Sequence, residues 1–166
     1  SKSLKNTNEL LGNLNGVNGV KTGFTNGANR CLVTSVNRDG MNIITVVLGA
    51  DTKKDRTNDS VKLIEYAYKN YTIYNLEDII NEKYQEWKNI NEKRINIVQG
   101  KNDYISTRLD KIDNYYIPIK KQDMNNVKVE IYSLKEMEAP IYENDYIGKL
   151  IIYNGKEKIE ELCIRS

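Results

Sequence analysis

The hydrophobic period of this chain changes twice along its length, and no other feature limits its possible folds as much. Cys31 to Val36 and Met41 to Leu48 are β-rich runs separated by Asn37-Arg38-Asp39-Gly40. An Asp-Gly pair between two β-branched runs predicts a hairpin. The unbroken Val46-Val47-Leu48 predicts a strand covered on both faces. Beyond Gly49 the period lengthens. Val61, Ile64, Ala67, Tyr68 and Tyr71 follow i, i+3, i+4 spacing, so a helix is expected over about residues 55–70. Asp51, Thr52 and Asp55 offer it N-cap oxygens and first-turn negative charge. A linker is expected over 71–75. Leu76, Ile79, Ile80, Tyr84 and Trp87 form a second helical stripe, which reads equally as a helix or as a long insertion between strands.

From Arg94 the period shortens again. Strands are expected at Ile95–Val98, Tyr104–Leu109 and Tyr115–Ile119, the last irregular because of Pro118. Val127, Val129 and Ile131 alternate strictly with polar neighbours. Ile147–Tyr153, Asn154-Gly155 and Lys156–Ile164 spell out a second hairpin. The expected fold class is α+β. A partial antiparallel sheet with a C-terminal helix occupies residues 1–72, and a small β-sandwich-like domain occupies residues 73–166.

Composition removes whole classes of chemistry. The 166 residues include no His and two Cys, which rules out a Ser-His-Asp triad, a His-ligated zinc site and a disulfide-dense scaffold. No metal and no cofactor is expected. A net charge of +2 gives no electrostatic footprint for nucleic acid, so no nucleic-acid partner is expected. Residues 1–72 hold 10 basic and 6 acidic side chains, and residues 73–166 hold 15 and 17, hinting at two surfaces of different character. No apolar run approaches the roughly 20 residues that span a bilayer. The opening Ser-Lys-Ser-Leu-Lys does not read as a signal peptide, so any export signal is expected outside these residues.

Lys21-Thr22-Gly23 carries the chemistry. It lies on a short Gly-punctuated strand ahead of the hairpin and helix. Lys-Thr-Gly is one of three signatures of serine enzymes that attack β-lactams or peptidoglycan peptides. An ammonium and a hydroxyl on one strand suit a substrate carboxylate, and a glycine beside them admits a close-lying substrate backbone.

Asn6-Thr7-Asn8-Glu9-Leu10-Leu11, Gly19-Val20-Lys21-Thr22-Gly23-Phe24-Thr25, Cys31-Leu32-Val33-Thr34-Ser35-Val36 and Arg38-Asp39-Gly40-Met41 resemble the C-terminal half of a penicillin-binding catalytic domain. The family is the low-molecular-weight penicillin-binding proteins, the serine-type D-alanyl-D-alanine carboxypeptidases. Ala139-Pro140-Ile141-Tyr142, Gly148-Lys149-Leu150 and Asn154-Gly155-Lys156 resemble the small β-rich domain that follows it. The resemblance implies that the sheet of residues 1–72 is part of a β-lactamase/transpeptidase-like domain. It implies that a Ser-x-x-Lys serine cleaves D-Ala-D-Ala through an acyl-enzyme, and that β-lactams bind the full enzyme. It also implies the site residues. Lys21 is grouped with Thr22 and Gly23 as the catalytic motif and would hold the terminal carboxylate, with Thr22 and Thr25 hydrogen-bonding the substrate. The Phe24 N–H would be the second oxyanion-hole donor, and Arg56 would support the carboxylate. The implied location is the outer face of a bacterial cytoplasmic membrane, or secreted, and the implied partner is a stem peptide ending in D-Ala-D-Ala.

This chain departs from the pattern in its nucleophile. No Ser is followed three residues later by Lys. Ser35-Val36-Asn37 has the form of the family's Ser-x-Asn motif but follows Lys21 instead of preceding it, and reads as a decoy. The chain is therefore expected to be a C-terminal fragment, inactive alone, with an apolar edge around Val17, Val20 and Val46 that favours dimerisation or strand exchange. The alternative is a non-catalytic β-rich module that binds the cell wall or a partner. Cys31 is expected in the core, and the tyrosines at 66, 68, 71 and 74, with Trp87, are expected to serve packing.

Overall fold

The computed structural model describes residues 5–102 and 104–166. The backbone divides into two compact units, residues 1–73 and 74–166. In chain order the elements are β1 (Val17–Thr25), β2 (Asn29–Arg38), β3 (Met41–Ala50), α1 (Lys53–Asn70), β4 (Tyr71–Asn75), α2 (Glu77–Asn91), β5 (Asn96–Val98), β6 (Arg108–Leu109), β7 (Tyr116–Lys120), β8 (Val127–Ser133), β9 (Glu136–Glu138), β10 (Tyr146–Asn154) and β11 (Glu157–Arg165). The class is α+β with antiparallel sheets, as the changing period predicts. No helix among the described residues is long and apolar enough to cross a membrane.

In the first unit β1, β2 and β3 form an antiparallel sheet in that order. The β2–β3 hairpin turns at Asp39 and Gly40, whose φ values are +49° and +81°. Two successive left-handed residues match the twist of the strands they join, which the Asp-Gly pair supplies. Helix α1 starts where Thr52 accepts a hydrogen bond from the Asp55 N–H at 3.1 Å. It packs Ile64 against Leu10, Leu32 and Val36. A buried polar link joins helix and sheet: Ser60 donates to Thr34 at 3.1 Å and is hydrogen-bonded to Thr45 at 2.9 Å. The Tyr68 hydroxyl reaches the Val36 and Met41 carbonyls at 3.2 and 2.9 Å. Burial raises its pKa above the usual phenol value.

Several expectations need correction here. β3 is covered on one face only. Val47 and Thr45 are buried, whereas Ile44, Val46 and Leu48 are 70, 53 and 72% exposed. A continuous apolar run records what both faces prefer, and in these residues the second face has no covering layer. Residues 71–75 are a strand, not a linker. Their β-branched and aromatic side chains outweighed the fading helical period. Cys31 is half-buried and thiol-reduced, with Sγ 3.5 Å from the Ala28 carbonyl. It lies on the face of β2 away from the core. Tyr66 is exposed, on the outer side of α1.

The second unit is built on the antiparallel sheet β6-β11-β10-β8. Helix α2 starts where the Asn75 side chain accepts from the Glu77 N–H at 3.0 Å, with Glu77 and Asp78 in its first turn. It buries Ile80, Tyr84 and Trp87 in one core with Ile147, Leu150, Ile152, Leu162 and Ile164. The stripe at 76–87 is therefore a helix. The strand expected at Tyr104–Leu109 shrinks to Arg108–Leu109, because Thr107 is taken by Tyr84 of α2 and by Glu92 at its C-terminal end. Its N–H and hydroxyl donate to Glu92 at 2.6 and 2.8 Å, and its hydroxyl also meets that of Tyr84 at 3.0 Å. β5 and β9 pair in parallel.

Candidate functional site

Among the described residues β1 is an edge strand, paired only with β2. Its register places Lys21 opposite Val33, Thr22 opposite Leu32, Gly23 opposite Cys31 and Phe24 opposite Arg30. The Val20 carbonyl points away from β2 and accepts from the Asn6 amide at 2.9 Å. By the two-residue period of a strand, the Phe24 N–H is directed to the same outer edge. The edge therefore presents a backbone donor one residue beyond the Lys-Thr-Gly motif.

The segment before β1 runs along this edge. Asn8 is buried and donates to the Gly19 carbonyl at 3.0 Å. The Thr7 hydroxyl is hydrogen-bonded to that of Thr22 and accepts from Lys21 Nζ at 3.4 Å. The same ammonium donates to the Thr22 carbonyl at 3.1 Å. One hydroxyl thus gathers the ammonium and hydroxyl of the motif, although they alternate in direction along the strand. Among the described residues a Cβ on Gly23 would meet only the Cys31 Cβ, at an ordinary 3.6 Å, so no packing among them requires glycine there. Phe24 is exposed and lies under the Arg30 guanidinium at 5.1 Å. Thr25 accepts from the Ala28 N–H at 3.0 Å and closes the turn into β2.

Arg56 sits in the first turns of α1 and is 5% exposed. Its guanidinium Nη2 is 3.7 Å from Glu9 Oε2, and Thr57 donates to the same oxygen at 3.2 Å. Its Nε is buried without a hydrogen-bond partner among the described residues. Glu9 is two residues after Thr7, a span of at most about 7 Å along an extended backbone. A single short segment therefore touches Lys21 and Thr22 at one end and Arg56 at the other. Beside it is a hollow of about 620 Å³ whose lining includes Lys5, Thr7, Glu9 and Lys53. Lys5, Lys21, Lys53 and Arg56, with the hydroxyls of Thr7 and Thr22, suit an anionic ligand in this region. The sequence reading missed the roles of Asn6, Thr7, Asn8 and Glu9. The available signal was the run of hydrogen-bonding side chains ahead of a strand whose carbonyls lack a neighbour on one side.

Comparison with known proteins identifies the family. A family model described as D-alanyl-D-alanine carboxypeptidase matches residues 1–52. One described as Penicillin-binding protein 5, C-terminal domain, matches residues 68–164. The D-alanyl-D-alanine carboxypeptidase DacF of Bacillus subtilis is 33% identical over 159 residues, which are 95% of this chain and 38% of that protein. DacA of Haemophilus influenzae is 31% identical over 145 residues, 85% of this chain and 34% of its own length. The crystal structure of the D-alanyl-D-alanine carboxypeptidase DacD from Francisella tularensis superposes with a TM-score of 0.65 at 27% identity, covering 96% of this chain and 37% of that one. The chain thus spans little more than a third of the length of these relatives. Because the matches run through both the Lys-Thr-Gly unit and the β-rich unit, the chain belongs to the D-alanyl-D-alanine carboxypeptidase family of penicillin-binding proteins and covers its C-terminal portion.

Proposed function

We propose that residues 16–56 form one wall of the active site of a serine-type D-alanyl-D-alanine carboxypeptidase that works outside the cytoplasmic membrane. Its substrate is a peptidoglycan stem peptide ending in D-Ala-D-Ala. The serine that attacks the penultimate carbonyl comes from residues beyond these 166, and so does the base that takes its proton. Lys21 and Thr22 hold the terminal carboxylate from the strand and Arg56 supports it from the helix. Thr25 offers its hydroxyl proton to the substrate, its oxygen being engaged by Ala28. The Phe24 N–H faces the oxygen that becomes negative in the tetrahedral intermediate. Gly23 keeps the strand bare where the substrate backbone lies against it, which accounts for a glycine that no neighbour among the described residues demands. The observation that carries this reading is the edge position of Lys21-Thr22-Gly23, with Lys21 and Thr22 both tied to Thr7.

The test is covalent labelling by a fluorescent penicillin. The full-length protein is expected to be acylated and to release D-Ala from an acyl-D-Ala-D-Ala peptide, while the 166-residue chain alone forms no adduct. Lys21→Ala in the full-length protein is expected to slow acylation on the order of 100-fold. A full-length protein that neither binds penicillin nor trims the peptide would sink the reading.

The uncovered Ile44, Val46 and Leu48 support a second proposal, on association. The 166-residue chain is expected to form dimers at high concentration through this sheet and its open edges. Strictly monomeric light scattering across the concentration range would exclude this.

A further inference from the structure

We propose that Glu9 is a built-in counter-ion for Arg56 that the substrate carboxylate must displace, and that it therefore sets the affinity of the site for carboxylate-terminated ligands. The inference rests on the functional reading above.

Arg56 is a cation with 5% of its surface exposed. A buried guanidinium needs a negative partner. Among the described residues the carboxylate within ion-pair distance of it is Glu9. The fit is poor for a purely structural pair. The contact is a single 3.7 Å approach through Nη2, not the paired short bonds that a fork and a carboxylate form when nothing competes. Nε, which would take part in such a fork, is left buried and unpartnered. Glu9 itself is about half exposed, with 54% of its side chain accessible, so solvent can take its carboxylate without any core being opened. Arg56 is thus fixed by burial and Glu9 by little more than charge and the Thr57 hydroxyl.

The location gives this pair a consequence. Glu9 follows Asn8, whose amide is anchored to the Gly19 carbonyl, and Thr7, which touches both Lys21 and Thr22. A carboxylate arriving at Lys21 and Thr22 enters the field of Glu9. It is repelled by Glu9 and drawn to Arg56, and turning Glu9 out to solvent satisfies both. Glu9 acts through Arg56 and does not touch the scissile bond, so it is a positioning and specificity residue. It weakens the binding of every anion to a degree set by its own hold on Arg56. Substrates whose end carries no charge do not face that competition.

The experiment uses the full-length protein with Glu9→Gln and Glu9→Ala, and two substrates. One is an acyl-D-Ala-D-Ala peptide with a free terminal carboxylate, the other an uncharged acyl-D-Ala ester. Removal of the counter-ion is expected to lower KM for the free acid roughly two- to fivefold, the range of a partly exposed ion pair. The change is carried by KM more than by kcat, and the ester moves less than the acid. Raised KM for the acid, or equal changes for acid and ester, would overturn the proposal and make Glu9 a plain support for Arg56. Unaltered kinetics in both variants would overturn it too. A wild-type protein that turns over neither substrate removes the functional reading, and the proposal with it. Wild-type turnover with unmoved variants removes the proposal alone.

Discussion

The two units differ in how they use apolar surface. Among the described residues, the unit of β1–β3 and α1 buries a core cluster of Leu10, Leu32, Val36 and Ile64, and leaves Ile44, Val46 and Leu48 in solvent. The unit of β8, β10, β11 and α2 buries Leu76, Ile80, Tyr84, Trp87, Ile95 and Ile119 together with the sheet residues from Val127 to Ile164. The unit with the smaller core carries the residues proposed for chemistry, and the unit with the larger core carries none of them. Burial drives folding at roughly 25 cal/mol per Å², so the second unit is expected to draw more stabilisation from its larger core. The first places polar groups on an open edge, where a ligand can reach them.

Substitutions can break or sharpen this contrast. The largest effect is expected at Ile152, which is fully buried in β10. Ile152→Ala should cost roughly 2–5 kcal/mol in denaturant unfolding. Val46→Ala, chemically similar, should stay within about 0.5 kcal/mol because its side chain is already wet. Equal losses at the two positions would show that the exposed face of β3 is covered in solution.

A smaller loss is expected from Gly148→Ala. Its Cβ would lie 2.3 Å from the Tyr132 carbonyl oxygen and 2.8 Å from the Ser133 Cα. Both atoms are backbone of the paired strand β8 and cannot swing aside. A cost of about 1–3 kcal/mol is expected, read as a lower midpoint in urea. The polar counterpart in the first unit is Ser60→Ala. It leaves the buried hydroxyls of Thr34 and Thr45 without their shared partner, for about 1–3 kcal/mol. A neutral outcome would mean that the hydroxyls find each other.

The smallest effect concerns pH. Burial raises the Tyr84 pKa, so the folded state favours the neutral phenol. Its contribution is complete below the unfolded value of about 10 and is lost as pH rises through the folded value. The melting temperature should therefore fall on the alkaline side, and Tyr84→Phe should flatten part of that slope. A variant whose alkaline slope matches the wild type would remove Tyr84 as its cause.

Periodicity made much of this fold legible. The Asp39-Gly40 hairpin, α1 and the β10–β11 hairpin announce themselves through local rules of turn chemistry and spacing, whereas the stripe of α2 left helix and insertion equally open. What stayed hidden depends on neighbours far along the chain. Whether Val46 is covered is decided by layers that no window around it contains. Tyr104–Leu109 has the composition of a strand, yet Thr107 is claimed by Tyr84 of α2 and by Glu92 just past its end. At the candidate site, the Lys-Thr-Gly motif stood out because three residues carry it. The contact of Glu9 with Arg56 spans 47 positions and leaves no pattern in either local stretch. The same holds for Thr7, whose link to Lys21 depends on how the preceding segment turns back along the edge.

The hydroxyl cluster of Thr34, Ser60 and Thr45 acts as an address for the motif. β2 could slide along α1 by two residues and still bury apolar side chains, since Leu32, Thr34 and Val36 all face the helix. Only one setting brings the threonines of β2 and β3 to the same serine. Fixing β2 in this way also fixes β1, whose register on β2 puts Lys21 opposite Val33. The position of the ammonium along the edge is thus written more than 30 residues away, in a serine that never meets a ligand.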